Sequence, residues 1–173
     1  NSRSKKTNSG ISGTLSEGIY CWNNGKFLQE KNSTISPMSQ GYQYGKGVFE
    51  TIKVEQGRIE HLKKHLGRLE KGCKNILDRK LPELDWKGIV ELLIIKNNLG
   101  EKSSVLKIII SEGKNGLFED LTINVTCRIY NKRAVIIERG KLHLGIFPNI
   151  RENFLAEYKT LNYLFYLKAG EWA

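Results

Sequence analysis

The sequence predicts an α+β fold, with strands and helices segregated along the chain rather than strictly alternating. Three observations carry this. Two stretches near the start, one with short apolar runs and one with alternating apolar and polar residues, are each broken by a turn-forming group. A central stretch repeats apolar residues at spacings of three and four. A later stretch returns to apolar and alternating runs of strand length.

Taken in order, residues 1–19 are rich in Ser, Asn, Gly and Lys and read as a linker or arm. YCWNNGKFL, beginning at Tyr20, places Asn23-Asn24-Gly25 between two short apolar runs, which predicts a hairpin. The glycine-rich GYQYGKG reads either as a tight turn before a hairpin or as a loop that approaches something closely. A second hairpin follows. Val48, Glu50, Ile52 and Val54 alternate with Phe49, Thr51 and Lys53, and Glu55-Gln56-Gly57 turns the chain back.

Between Glu60 and Leu77, the residues Leu62, Leu66, Leu69, Cys73 and Ile76 form one apolar helical face. Pro82 opens a second predicted helix, Glu83–Asn98, with Leu84, Ile89, Leu92, Leu93 and Ile95 as its apolar positions. SVLKIIIS, 104–111, predicts a buried strand, and LTINVTCRIY, 121–130, a half-buried one. Residues 134–147 read as two short strands joined at Arg139-Gly140, and 162–173 as a helix. No internal repeat is visible.

The net charge is +10, but the basic residues are spread along the chain and mixed with acids, with no nucleic-acid-reading motif. This argues for a solvated surface and against a nucleic-acid partner. No apolar run is long enough to span a bilayer, and no signal peptide is evident, so no membrane role is expected. Cys21, Cys73 and Cys127 are far apart and lack metal-ligand spacing, which suits a reducing, cytoplasmic setting.

Among chemistry-bearing residues, Lys159 lies within FLAEYKTLNYLFYL. Aromatic and aliphatic surroundings that desolvate a lysine lower its pKa and free the amine for Schiff-base chemistry. The alternative is a stem that packs while the ammonium reaches water. Arg68, in HLGRLEKGCKN, is either a fork for a phosphate or carboxylate, or a surface arginine paired about one helical turn away, towards Glu60 or Glu70. GYQYGKG is not a phosphate-binding loop of the GK[ST] type, because it precedes a strand. His61, His65 and His143 are too dispersed for a metal cluster and read as surface or capping residues.

Three segments together resemble one family. YGKGVFETIKVEQGRIEHLKKHLGRLEKGCKNI, VLKIIISEGKNG and LAEYKTLNYLFYLKAGEWA resemble, in order and spacing, the amino-terminal, central-strand and lysine segments of class IV aminotransferases. The resemblance implies pyridoxal 5'-phosphate as cofactor. It implies that Lys159 is its covalent anchor and the acid/base at the substrate α-carbon, and that Arg68 holds the cofactor phosphate. It also implies that Tyr163 bonds the cofactor's phenolic oxygen. The implied fold has two domains. Residues 20–130 would form the small amino-terminal α+β domain, complete here, and 134–173 the start of the larger cofactor domain. The implied assembly is a homodimer.

The KTLNYL segment is nearest to 4-amino-4-deoxychorismate lyases, which release pyruvate and leave 4-aminobenzoate for folate biosynthesis. The alternatives are D-amino-acid or branched-chain aminotransferases acting on a small amino acid, and a non-catalytic dimerisation or binding module. The chain ends at Ala173, before the family's glutamate for the cofactor ring nitrogen. It is therefore expected to be part of a longer enzyme, with weak or no catalysis by itself. In SEGKNGLFED the substrate-gripping charges of relatives are reduced to Lys114.

Overall fold

A computed structural model describes residues 18–113, 118, 120–130, 145–149 and 153–172. The two hairpins form as expected. β1 (Tyr20–Asn23) and β2 (Lys26–Gln29) are joined through Asn24 and Gly25, both at positive φ. β3 (Gly47–Glu55) and β4 (Arg58–Ile59) are joined through Gln56 and Gly57, also at positive φ. Two consecutive residues of this conformation make the turn whose twist matches that of the flanking strands. β5 (Ser103–Glu112) and β6 (Leu121–Ile129) complete an antiparallel sheet of order β2-β1-β6-β5-β3-β4 among the described residues.

Three helical elements depart from the sequence reading, one of them in a segment read as a turn. GYQYGKG holds a short helix, α1 (Gln40–Tyr44), closed by Gly45 in the left-handed conformation. The first long helix is α2 (Leu62–Gly72), widening into a π turn over Cys73–Leu77. The second, α3 (Trp86–Lys96), starts later than the expected Glu83, because Asp85 caps it by accepting a hydrogen bond from the Gly88 amide. Its buried face is Trp86, Val90, Leu93 and Ile94, whereas Leu92 and Ile95 are exposed. That helix is apolar on nearly every side, so periodicity alone does not select the inner face.

α2 packs on β3, and α3 on β1 and β6. Between helices and sheet lie Leu69, Cys73, Val90 and Leu93 against Ile52, Leu106, Ile108, Ile110, Val125 and Cys127. Each such side chain contributes about 1.5–3 kcal/mol of burial. Burial corrects two strand readings. Residues 105, 107 and 109 of β5 are only half-buried on the face away from the helices. In β6, Leu121, Thr122 and Ile123 are buried in succession. Cys21, Cys73 and Cys127 are buried free thiols. No helix among the described residues is long and apolar enough to cross a membrane. The predicted strand pair at 134–147 lies outside the described residues except for 145–147, which are not strand. The terminal helix is α4 (Leu164–Trp172).

Candidate active site

The site is organised by β3. Strand alternation points Val48, Glu50, Ile52 and Val54 at the helices and Phe49, Thr51 and Lys53 at the other face. Glu50 is thus a carboxylate in an apolar row, 1% exposed. A buried charge is tolerated only with partners. α2 supplies two, at i and i+3 on one helix face. Arg68 donates from Nε to Glu50 Oε1 and from Nη2 to Oε2, both at 2.5 Å. His65 Nδ1 lies 2.8 Å from Oε2 and donates to the ionised carboxylate. Burial pushes the Glu50 pKa up, but the hydrogen bonds and charges of Arg68 and His65 outweigh it, and the carboxyl sits below its ordinary value.

Residues 159–161 run along the outer edge of β3. The Phe49 amide donates to the Lys159 carbonyl at 2.9 Å, the Leu161 amide donates to the Gly47 carbonyl at 2.9 Å, and Thr160 bridges to Val48. Gly47 makes this approach possible. A Cβ there would stand 2.5 Å from Leu161 Cδ1 and 2.8 Å from the Ile110 carbonyl oxygen. The glycine-rich segment thus packs closely on the lysine segment.

Lys159 Nζ lies 4.5 Å from the Phe49 ring centre and 5.7 Å from that of Tyr163. Those two rings meet edge to face at 5.3 Å. Burial lowers the Lys159 pKa, Glu50 opposes that shift, and Arg68 adds to it. Lys159 is half-buried, and the ring beside its amine, Phe49, comes from a distant strand.

Lys159 and Arg68 line one cleft together with Glu50, Phe49, Gly72 and Tyr158. Its volume, about 20 Å³, holds roughly one water. Tyr163 stands beside Lys159 rather than in the cleft lining. Arg68 corrects the helix-surface pairing, because its partner is on β3 and not on its own helix. Its side chain is 55% exposed, so the guanidinium is not enclosed by its pairing with Glu50. His65 is likewise a half-buried partner of Glu50, whereas His61 is exposed at the start of α2. His143 and Lys114 lie outside the described residues.

Sequence reasoning passed over Glu50, although its signal was present: a lone carboxylate in a row otherwise made of Val, Ile and Val. No group of metal-ligating residues large enough to hold an ion occurs among the described residues.

The family profile described as Amino-transferase class IV matches residues 47–173. The chain belongs to the class IV aminotransferases. Among curated relatives, an aminodeoxychorismate lyase of Bacillus subtilis is 29% identical over 91 residues, covering 52% of this chain and 31% of that protein. A D-alanine aminotransferase of Bacillus licheniformis is 27% identical over 86 residues, covering 49% of this chain and 30% of that protein. The matched part of the chain thus spans about a third of each relative's length.

Among solved structures, a hypothetical aminotransferase from Mycobacterium tuberculosis aligns with a TM-score of 0.70 at 22% identity, over 88% of this chain and 57% of that one. It has also been solved with pyridoxal phosphate bound. A branched-chain aminotransferase of Thermoproteus uzoniensis aligns with a TM-score of 0.55 at 20% identity, over 66% and 41%. The fold of this chain is therefore part of the class IV aminotransferase fold, and that family works with pyridoxal phosphate.

Proposed function

We propose that this chain supplies the lysine side of a pyridoxal-phosphate site, and that the whole protein is a 4-amino-4-deoxychorismate lyase. The carrying observation is the Lys159 amine. It is partly desolvated over Phe49 and Tyr163 and shares a cleft with Arg68. The residues suit the cofactor. An aldehyde reacts with the uncharged form of an amine, and burial shifts the Lys159 pKa in the direction that favours that form. A phosphate suits a cationic donor, and Arg68, about half exposed, lines the same cleft as that amine. The cofactor, when bound, supplies the electron sink.

In this reading Lys159 Nζ is the covalent anchor and then takes the proton from the substrate carbon that bears the amine. Arg68 binds the phosphate, and Glu50 with His65 fixes the plane of its guanidinium. Tyr163, locked against Phe49, offers its hydroxyl to the cofactor's phenolic oxygen. Residues 20–130 serve as the small domain and 134–173 open the larger one, in a cytoplasmic homodimer.

The lyase relatives support this choice of reaction. The D-alanine aminotransferase relatives support transamination as the second reading, with Lys159 in the same role. A product assay on the whole protein separates them. Pyruvate and 4-aminobenzoate from aminodeoxychorismate are expected. Glutamate formed from 2-oxoglutarate and an amino acid, without 4-aminobenzoate, would replace the lyase reading with the transaminase one.

A further inference from the structure

The cleft beside Lys159 has two lips. α2 forms one, through Arg68 and Lys71, and residues 157–159 form the other. Arg68 and Lys71 are three residues apart on the helix, so they project from one face of it. The cleft itself holds about one water, and a phosphate group is larger than that. A phosphate held by Arg68 therefore sits at the mouth, where the exposed side chains are.

The charges at that mouth do not match a phosphate if Arg68 acts alone. Arg68 hydrogen-bonds through Nε and Nη2 to the buried Glu50, and the pair together carries no net charge. Lys159 is reserved for the cofactor's aldehyde. A phosphate monoester brings about 1.5–2 negative charges at pH 7. Lys71 is the remaining cation among the described lining residues. Its Nζ lies 5.7 Å from the centre of the Tyr158 ring on the opposite lip, within cation–π range, which keeps the amine at the mouth. It makes no ion pair with a carboxylate among the described residues, Glu157 across the cleft included. A lysine in the last turn of a helix is ordinarily explained by the negative end of the helix dipole. Here the winding continues through the π turn to Leu77, so Lys71 stands well before that end.

We propose that Lys71 is a second cation for the cofactor phosphate, acting beside Arg68 at the mouth of the cleft. The inference rests on the phosphate reading of Arg68 and adds a binding residue to it. Glu50 already fixes the Arg68 fork, which gives direction. Lys71 supplies the net positive charge that the Arg68–Glu50 pair lacks, and a point charge on a flexible stem suits that task.

The test uses the whole protein freed of cofactor, with two probes, pyridoxine 5'-phosphate and pyridoxine. Both have an alcohol where the cofactor has its aldehyde, so their binding does not depend on bond formation at Lys159. Calorimetry should show that wild type prefers the phosphorylated probe. Lys71→Met keeps the stem and removes the charge. It should lower that preference by about fivefold at low salt, the upper range for an exposed ion pair, and leave pyridoxine unchanged. The loss should shrink as salt is added, because the site is open to solvent. Lys71→Arg should keep most of the preference. Lys74→Met removes one charge from the next turn, outside the cleft lining, and should match wild type. An undiminished preference in Lys71→Met, an equal loss in Lys74→Met, or equal weakening of both probes in Lys71→Met would overturn the proposal while leaving the Arg68 reading in place. Equal binding of the two probes by wild type would remove the phosphate reading of this cleft, and the role of Lys71 with it.

Discussion

Glu50 remains charged inside an apolar row because three hydrogen bonds from α2 compensate for its lost water. Its depressed pKa fixes the sign of a pH effect. A carboxyl whose folded value lies below its unfolded one contributes stability that is present above the unfolded value, near 4.5, and is lost as pH falls through the folded value. Thermal midpoints measured from pH 7 downward should therefore fall on the acid side in wild type, and Glu50→Gln should flatten that limb. At pH 7 the same variant should lose about 2 kcal/mol, less than a fully buried pair because half of Arg68 is in water. An unchanged acid limb in Glu50→Gln would show that other carboxyls govern it. Of these residues Arg68 and Lys159 were legible in the sequence through their segments, but the partner of Arg68 was not. Local spacing points to glutamates on the same helix, whereas strand alternation and sheet register bring Glu50 to it from 18 residues away.

The elements differ in how much the sequence reveals. Both hairpins could be read because Asn24-Gly25 and Gln56-Gly57 suit positive φ and are flanked by apolar runs in the first and an alternating run in the second. The inner face of α3 could not, because apolar residues surround that helix and only its packing on β1 and β6 selects Val90 and Leu93 over Leu92 and Ile95. The attachment of residues 159–161 to β3 was also hidden, since a single bridge leaves no periodic trace. Gly47 carries that attachment. Gly47→Ala should lower the thermal midpoint and loosen the lysine segment, seen as faster amide exchange at Phe49 and Leu161, whose hydrogen bonds form the bridge. Gly67→Ala is the matching control. Gly67 is within α2 with open space where its Cβ would be, and alanine there should stabilise by about 0.5–1 kcal/mol. Equal behaviour of the two variants would remove the steric argument.

At the scale of the whole molecule, the sheet divides the labour between its faces. One face, with α2 and α3, builds the core and holds Glu50, His65 and Arg68 in register. The other presents Phe49 and Lys107, and the lysine segment along β3 brings Lys159 over the same ring. Leu69 shows how closely core and site are linked. It is 1% exposed, packs in the core and also lines the cleft shared by Arg68 and Lys159. Leu69→Ala should cost about 2–5 kcal/mol in chemical denaturation and weaken cofactor binding as well. The central claim is that Lys159 is the residue that takes the cofactor. The most direct measurement is absorbance after pyridoxal phosphate is added to the whole protein, followed by borohydride reduction and peptide mapping. The account predicts a visible band and a reduced cofactor on Lys159, both lost in Lys159→Ala. A band that persists in Lys159→Ala, or a label on Lys107 or another lysine in wild type, would contradict it.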